Sequence, residues 1–449
     1  MTTSPRRRPS RRRTVLAAGF TTALGVGLFL AGGVGLAPWP AAPTGHGAAP
    51  AAEAGAAASP ADPLAADITG IQTHLRQTPD DAVALATLGL DYVQQAKATA
   101  DPTYYPKAEG VLKRSLALQS AGNFTAMGGM AALEAGRHHF TQALTWSQRA
   151  LAANPYNSSL YGTLADAYTQ LGRYSDAADA VQHMVDIRPG SPSLSRASYV
   201  AELNGDIPTA RTDMQRALDD SAGPADQAFA YYYLGELAFN NGDPATELHQ
   251  AATGLRIAPT YTALLQAKAR AETALGKTGA AIADLTEAVG RVPQPEYILQ
   301  LGELYQSLGR TRQAEQQYQV FRAEQKLFST NGVALDSDAA LFEADHGNAA
   351  QALTIARQGI KTRPFMDTYD ALAWALHVNG QDTEALAESD QALAQGTRNA
   401  LFHYHRAMIH RSLGDNASAR DDLTQALAIN PHFSPLLAPK ARAALATLK

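Results

Sequence analysis

The sequence predicts an all-α fold, an α-solenoid superhelix of about ten stacked helix-turn-helix units. Three observations carry that expectation. A glycine–alanine–proline beat recurs at a spacing of roughly 34 residues. Between the beats, apolar side chains fall at i, i+3, i+4 and i+7, as in Tyr161, Leu164, Ala165 and Tyr168, the period of one helix face. Alanine is abundant throughout while aromatics are only 7% of residues, which favours close helix-on-helix contact over a β core.

The chain has 449 residues, 45% hydrophobic and 18% charged, ample for a packed body. It contains no cysteine, which excludes disulfides, thiolate metal sites and a cysteine nucleophile. Its formal charge of −5 conceals an asymmetry, because six of the 37 basic residues are Arg6, Arg7, Arg8, Arg11, Arg12 and Arg13. Without these, 31 basic residues face 42 acidic ones, a balance of −11. An acidic body repels phosphate backbones, so no nucleic acid partner is expected.

The arginine-rich start precedes an uncharged stretch, residues 14–37, that holds Leu16, Phe20, Leu24, Leu28, Phe29, Leu30 and Leu36 diluted by glycine. A basic run before an apolar stretch is the pattern of a signal peptide or signal anchor, and residues 1–37 are read as one or the other. The segment approaches bilayer-spanning length, which favours an anchor, while its weak hydrophobicity favours a cleaved signal. The competing interpretation is a disordered basic tail. Residues 38–63 are an Ala/Pro-rich linker with too little apolar mass for a core. Localisation is therefore expected to be extracytoplasmic, either membrane-anchored by residues 14–37 or secreted after signal cleavage.

The solenoid is expected over residues 64–435. Leu64, Ile68, Ile71 and Leu75 form an apolar stripe suited to capping the first unit. Gly172, Gly205, Gly276, Gly309, Gly347, Gly380 and Gly414 are each followed five residues later by alanine, at 177, 210, 281, 314, 352, 385 and 419. Pro189, Pro259, Pro293, Pro364 and Pro431 fall seventeen residues after the glycine of their own units. The glycine permits a tight reversal, the alanine lets the second helix approach the first, and the proline ends the second helix. One unit cannot cover its own apolar face, so the units stack. Departures are local: an extra stretch around Thr99–Pro106, a Gly136–Ala143 spacing two residues too long, and Glu247 and Gly359 where alanine is usual. Residues 436–449 read as a C-terminal capping helix with Lys440, Arg442 and Lys449 outward.

These residues resemble the tetratricopeptide repeat, of the bacterial exported or membrane-anchored type, and the phased copies cover most of the chain. The resemblance implies helix pairs stacked into a superhelix whose concave groove binds an extended peptide or a partner helix. It also implies inner-groove positions one residue beyond the apolar stripe of each first helix, then four and seven further on. These are Tyr232, Glu236 and Phe239; Leu299, Glu303 and Gln306; Asp370, Trp374 and His377; and Tyr404, Met408 and Arg411. Exposed aromatics, an adaptable methionine and flanking charges suit peptide recognition. The Lys/Asn/Arg set with which some family members clamp a terminal carboxylate is not matched there.

Motifs for chemistry are sparse. Gly276-Lys277-Thr278 resembles the end of a phosphate-binding loop, but Ala271 stands where the loop needs its first glycine, and helices flank it. His403, His405 and His410 are the densest imidazole group. Repeat phase puts His403 and His410 on a buried stripe, as core histidines rather than metal ligands, and His138 and His139 in a solvated turn. No catalytic residue, metal or cofactor is expected. The function expected is a non-enzymatic protein–protein interaction scaffold holding a protein or peptide partner in its groove. The alternative is an enzyme or small-ligand sensor with its site in the same groove, and an N-terminal anchor would add a membrane contact.

Overall fold

The computed structural model describes residues 63–335 and 337–448, and the signal or anchor expected at 1–37 lies outside them, as does all of the linker except Pro63. Twenty-two α-helices and no strand occur among the described residues. A capping helix, α1 (Pro63–Gln77), leads into ten helix pairs: α2 (Ala82–Thr99) with α3 (Tyr104–Leu118), α4 (Phe124–Gly136) with α5 (Phe140–Ala153), α6 (Ser158–Gln170) with α7 (Tyr174–Ile187) and α8 (Ser191–Leu203) with α9 (Ile207–Asp219). Next come α10 (Pro224–Asn240) with α11 (Pro244–Ile257), α12 (Thr262–Ala274) with α13 (Thr278–Arg291) and α14 (Pro295–Ser307) with α15 (Thr311–Thr330). The last three are α16 (Ser337–His346) with α17 (Ala349–Thr362), α18 (Met366–Val378) with α19 (Asp382–Leu393) and α20 (Ala400–Ser412) with α21 (Asn416–Ile429). A closing helix, α22 (Leu437–Thr447), covers the far end and leaves Lys440 and Arg442 exposed.

The local chemistry sets these boundaries. Gly172, Gly205, Gly242, Gly276, Gly309, Gly380 and Gly414 all adopt positive φ between the two helices of a pair. At the first of these, Arg173 N donates to Tyr168 O at 2.9 Å and Gly172 N to Thr169 O at 3.0 Å, which satisfies carbonyls the helix end would orphan. Asp206, Asp243 and Asp415 follow their glycines and cap the next helix, each accepting from a backbone N–H three residues on. The alanines five residues after the glycines are buried at the helix contact.

Three turns depart from the glycine rule, the first pair's by placing Ala100 at positive φ, 54°. In the second pair Gly136 is helical, and a Cβ there would lie 3.0 Å from the Tyr105 hydroxyl. His138 takes the positive-φ position instead, at 62°, which accounts for the two-residue excess before Ala143. His138 and His139 are therefore half-buried rather than solvated: the first stacks on Phe140 at 5.7 Å, and His139 Nδ1 meets Glu134 at 2.8 Å. In the eighth pair Gly347 is absent from the positive-φ positions, and Asn348 caps α17 directly.

The solenoid coils tightly enough that its second turn rests on its first. Gln294 Nε2 donates to Lys97 O, Arg363 Nε to Gln170 Oε1, Met366 N to the Tyr174 hydroxyl and Asn430 Nδ2 to Phe239 O, across separations of 191 to 197 residues. The register is regular, because the turn inside pair n meets the exit of pair n+5. Thus a Cβ on Gly172 would lie 2.4 Å from Pro364 O, one on Gly205 2.4 Å from Gly396 O, and one on Gly242 2.9 Å from Ile429 O. Ala334 N likewise donates to Arg137 O at 3.0 Å. The concave face therefore wraps into a central lumen.

Candidate functional site

The first helix of each pair lines the inner face, and polar side chains there link one repeat to the next. Arg196 on α8 donates to both oxygens of Asp166 on α6, at 3.1 and 2.9 Å, with both groups buried. Asn240 on α10 donates to Glu202 on α8 at 3.2 Å. Arg270 on α12 reaches Glu236 on α10 at 3.2 Å and Glu247 on α11 at 3.0 Å, and its guanidinium lies 4.3 Å from the Phe239 ring centroid. Gln266 on α12 donates to Gln300 on α14 at 2.8 Å. His346 on α16 meets Glu303 on α14 at 3.1 Å, Trp374 Nε1 on α18 donates to Asp345 on α16 at 2.9 Å, and His405 Nδ1 on α20 meets both oxygens of Asp370 on α18 at 2.9 and 3.0 Å. The result is a polar ladder running unbroken from the third pair to the tenth. Removing one member of a buried rung leaves its partner desolvated and unsatisfied, so the ladder fixes how successive repeats stack.

Burial shifts some of these groups. The Glu202 carboxyl is pushed up to about 7, chiefly by burial, with the Glu236 charge adding and the Asn240 hydrogen bond opposing. Burial also raises Glu247, against the pull of Arg270.

Between the ladder and the C-terminal segment lies a cavity of about 610 Å³. Its walls include Phe239, Arg270, Leu299, Glu303, Phe342 and His405, and residues 430–435 with Arg442 close one side. Of the twelve groove residues expected from the sequence, Phe239, Leu299 and Glu303 line this cavity. Tyr232, Glu236, Asp370, Trp374 and Tyr404 are buried between neighbouring helices and build its frame, because the tight coil brings adjacent repeats together on the inside. His377 is half-buried against Asp382 at 2.5 Å, Met408 is half-buried in an apolar cluster, and Gln306 and Arg411 are exposed.

The histidine group also divides differently from expectation. His403 and His410 are only half-buried, and His403 Nδ1 meets Asp422 at 2.8 Å; the fully buried imidazole is that of His405. Its carboxylate comes from the adjoining repeat, which no reading of one helix face contains. Among the described residues no cluster of three or more His, Cys, Asp or Glu could hold a metal ion.

Several cavity residues lie outside the twelve expected positions although the same phase marks most of them. The 0, +4, +7 phase that gives Tyr232, Glu236 and Phe239 also gives Ser195, Tyr199 and Glu202 on α8, and Gln266, Arg270 and Thr273 on α12. On α16 the inner residues are Asp338, Phe342 and Asp345, one residue later than the phase gives, because the turn at Gly347 is one residue shorter.

Profiles of the tetratricopeptide repeat match residues 132–198, 200–262 and 400–433. The chain is a tetratricopeptide repeat protein. No curated protein matches its sequence. Solved structures that resemble this repeat protein include a tetratricopeptide repeat protein from Parabacteroides merdae, at 19% identity over 57% of this chain and 98% of that one, with a TM-score of 0.34. Yeast Tom70 matches at 12% identity over 82% and 96% of the two chains, TM-score 0.34, and the Cut9–Hcn1 complex at 14% over 85% and 81%, TM-score 0.40. Among the described residues of the repeat array, no helix is long and apolar enough to cross a membrane.

Proposed function

We propose that this tetratricopeptide repeat protein is a non-catalytic scaffold that holds a segment of a partner protein in its central cavity. The observation that carries the reading is the cavity itself, about 610 Å³ walled by inner helices of consecutive repeats. That volume accommodates a few residues of extended chain, and its mixed apolar and polar lining suits side-chain recognition. A photoreactive benzoylphenylalanine at Leu299, in the cavity, and another at Asp179, on the exposed surface, test it. Irradiation in extract of the source cells should give polypeptide adducts specific to position 299. Equal or absent adducts at the two positions would refute the scaffold.

The basic run at residues 6–13 and the uncharged stretch at 14–37 support export of the chain, with the repeat body held outside the cytoplasm. Alkaline phosphatase fused after residue 60 should be active in an export-competent host, and an inactive fusion retained inside the cell would count against it.

A further inference from the structure

We propose that the central cavity recognises a lysine or arginine side chain on the bound segment, an inference that rests on the scaffold reading above. The charge inventory comes first. Glu202, Glu296, Glu303, Asp338, Asp345 and Asp367 line the cavity, against the arginines at 270, 398 and 442. The arginines are engaged: Arg270 lies between Glu236 and Glu247, Arg398 Nε donates to Asn241 at 3.3 Å, and Arg442 donates to Pro431 O at 2.9 Å. Glu303 and Asp345, by contrast, take their bonds from an imidazole and an indole, with no lysine or arginine partner among the described residues.

His405 supplies an independent observation. Both Asp370 oxygens face Nδ1, at 3.0 and 2.9 Å, so that nitrogen donates to the carboxylate. Nε2 is buried without a hydrogen-bond partner, and the residue lines the cavity. A buried polar atom without a partner is costly, and a ligand group that pairs with it relieves that cost. Glu303 and Asp345, two carboxylates without a cationic partner among the described residues, call for hydrogen atoms, and ammonium and guanidinium groups are donors only. Leu299, Leu341 and Phe342 line the same space and suit the alkyl stem of such a side chain. The fully buried dyad also stacks on Trp374 at 4.2 Å, which holds the imidazole in place.

The test uses the full chain and three probes at low salt: the fluorescein-labelled heptapeptide Ser-Leu-Arg-Ser-Leu-Lys-Ser, its counterpart with Glu for Arg and Lys, and spermidine. Anisotropy should report binding of the basic peptide and none of the acidic one. The isosteric pair Glu303→Gln with Asp345→Asn should weaken the basic peptide about tenfold, the effect expected when charge is removed from a desolvated cation site. Glu303→Gln alone, at a partly exposed position, provides a variant that keeps the buried indole rung intact and should weaken binding in the same direction. Asp179→Asn, on the outer surface, should leave affinity unchanged. Equal binding of acidic and basic peptides, or unchanged affinity in both cavity variants with native melting curves, overturns the cation site. Spermidine binding without peptide binding overturns it too. If position 299 still yields adducts in any of these cases, the scaffold stands and only its proposed preference falls.

Discussion

Glu247 stands where the repeat pattern asks for a small residue, and its neighbours show why it is tolerated. Gly235 on the facing helix leaves room, since a Cβ there would already sit 3.5 Å from Glu247 Cγ, and Arg270 supplies the countercharge. Among the described residues Glu202 has no such cation, and burial raises its carboxyl from the usual 4.5 to about 7. The folded state thus holds this proton more tightly than the unfolded chain does. The resulting stabilisation is complete below about pH 4.5 and is lost as pH rises through 7. Glu202→Gln keeps an acceptor for Asn240 without the charge. Its melting temperature should match wild type at pH 4 and exceed it by a few degrees at pH 8, measured by calorimetry. A variant that melts lower at pH 8 would show that the ionised carboxylate is supported in the fold.

At the scale of one turn between helices, glycine serves two separable purposes. Gly309 and Gly414 need only positive φ, because nothing lies within 4 Å of the position a Cβ would take. Gly172 and Gly205 need that conformation and also meet a carbonyl of the overlying turn at 2.4 Å. Gly309→Ala should therefore cost about 1–2 kcal/mol, the penalty of an L-residue in the left-handed region. Gly172→Ala should cost clearly more, because a backbone carbonyl has to move. Urea denaturation of both variants measures the difference, and equal losses would mean that the inter-turn approach is loose. The sequence marks both classes of glycine alike. The shared pattern comes from turn geometry within one repeat, whereas the close approach involves a residue about 190 positions away.

Across the whole molecule, contact between pair n and pair n+5 changes what kind of solenoid this is. An ordinary repeat array is held by nearest neighbours alone. Here Arg363 donates to Gln170 and lies over Phe140 and Phe365, while Asn430 donates to Phe239 O, joining the two turns. Arg363→Ala with Asn430→Ala should loosen the coil. Small-angle scattering should show a larger radius of gyration at unchanged helicity, and an unaltered radius would mean that other contacts suffice to hold the turns together. The same closure explains why Tyr232, Trp374 and Tyr404 frame the lumen from within its wall, leaving Leu299 and Glu303 at its surface.

Helix number, turn chemistry and the two capping helices were legible because each follows from spacing inside some 34 residues, where backbone conformation and one apolar stripe decide the outcome. The inner-face phase was legible as well, and applied to α12 it yields Arg270, whereas Asp345 falls one residue outside it because the turn at Gly347 is shorter. What only the tertiary structure decided is the pitch. Small rotations at each repeat interface accumulate along the stack, and their sum determines whether the concave side remains an open groove or closes into a lumen. The partner of His405 belongs to that level too, since Asp370 reaches it from the adjoining repeat.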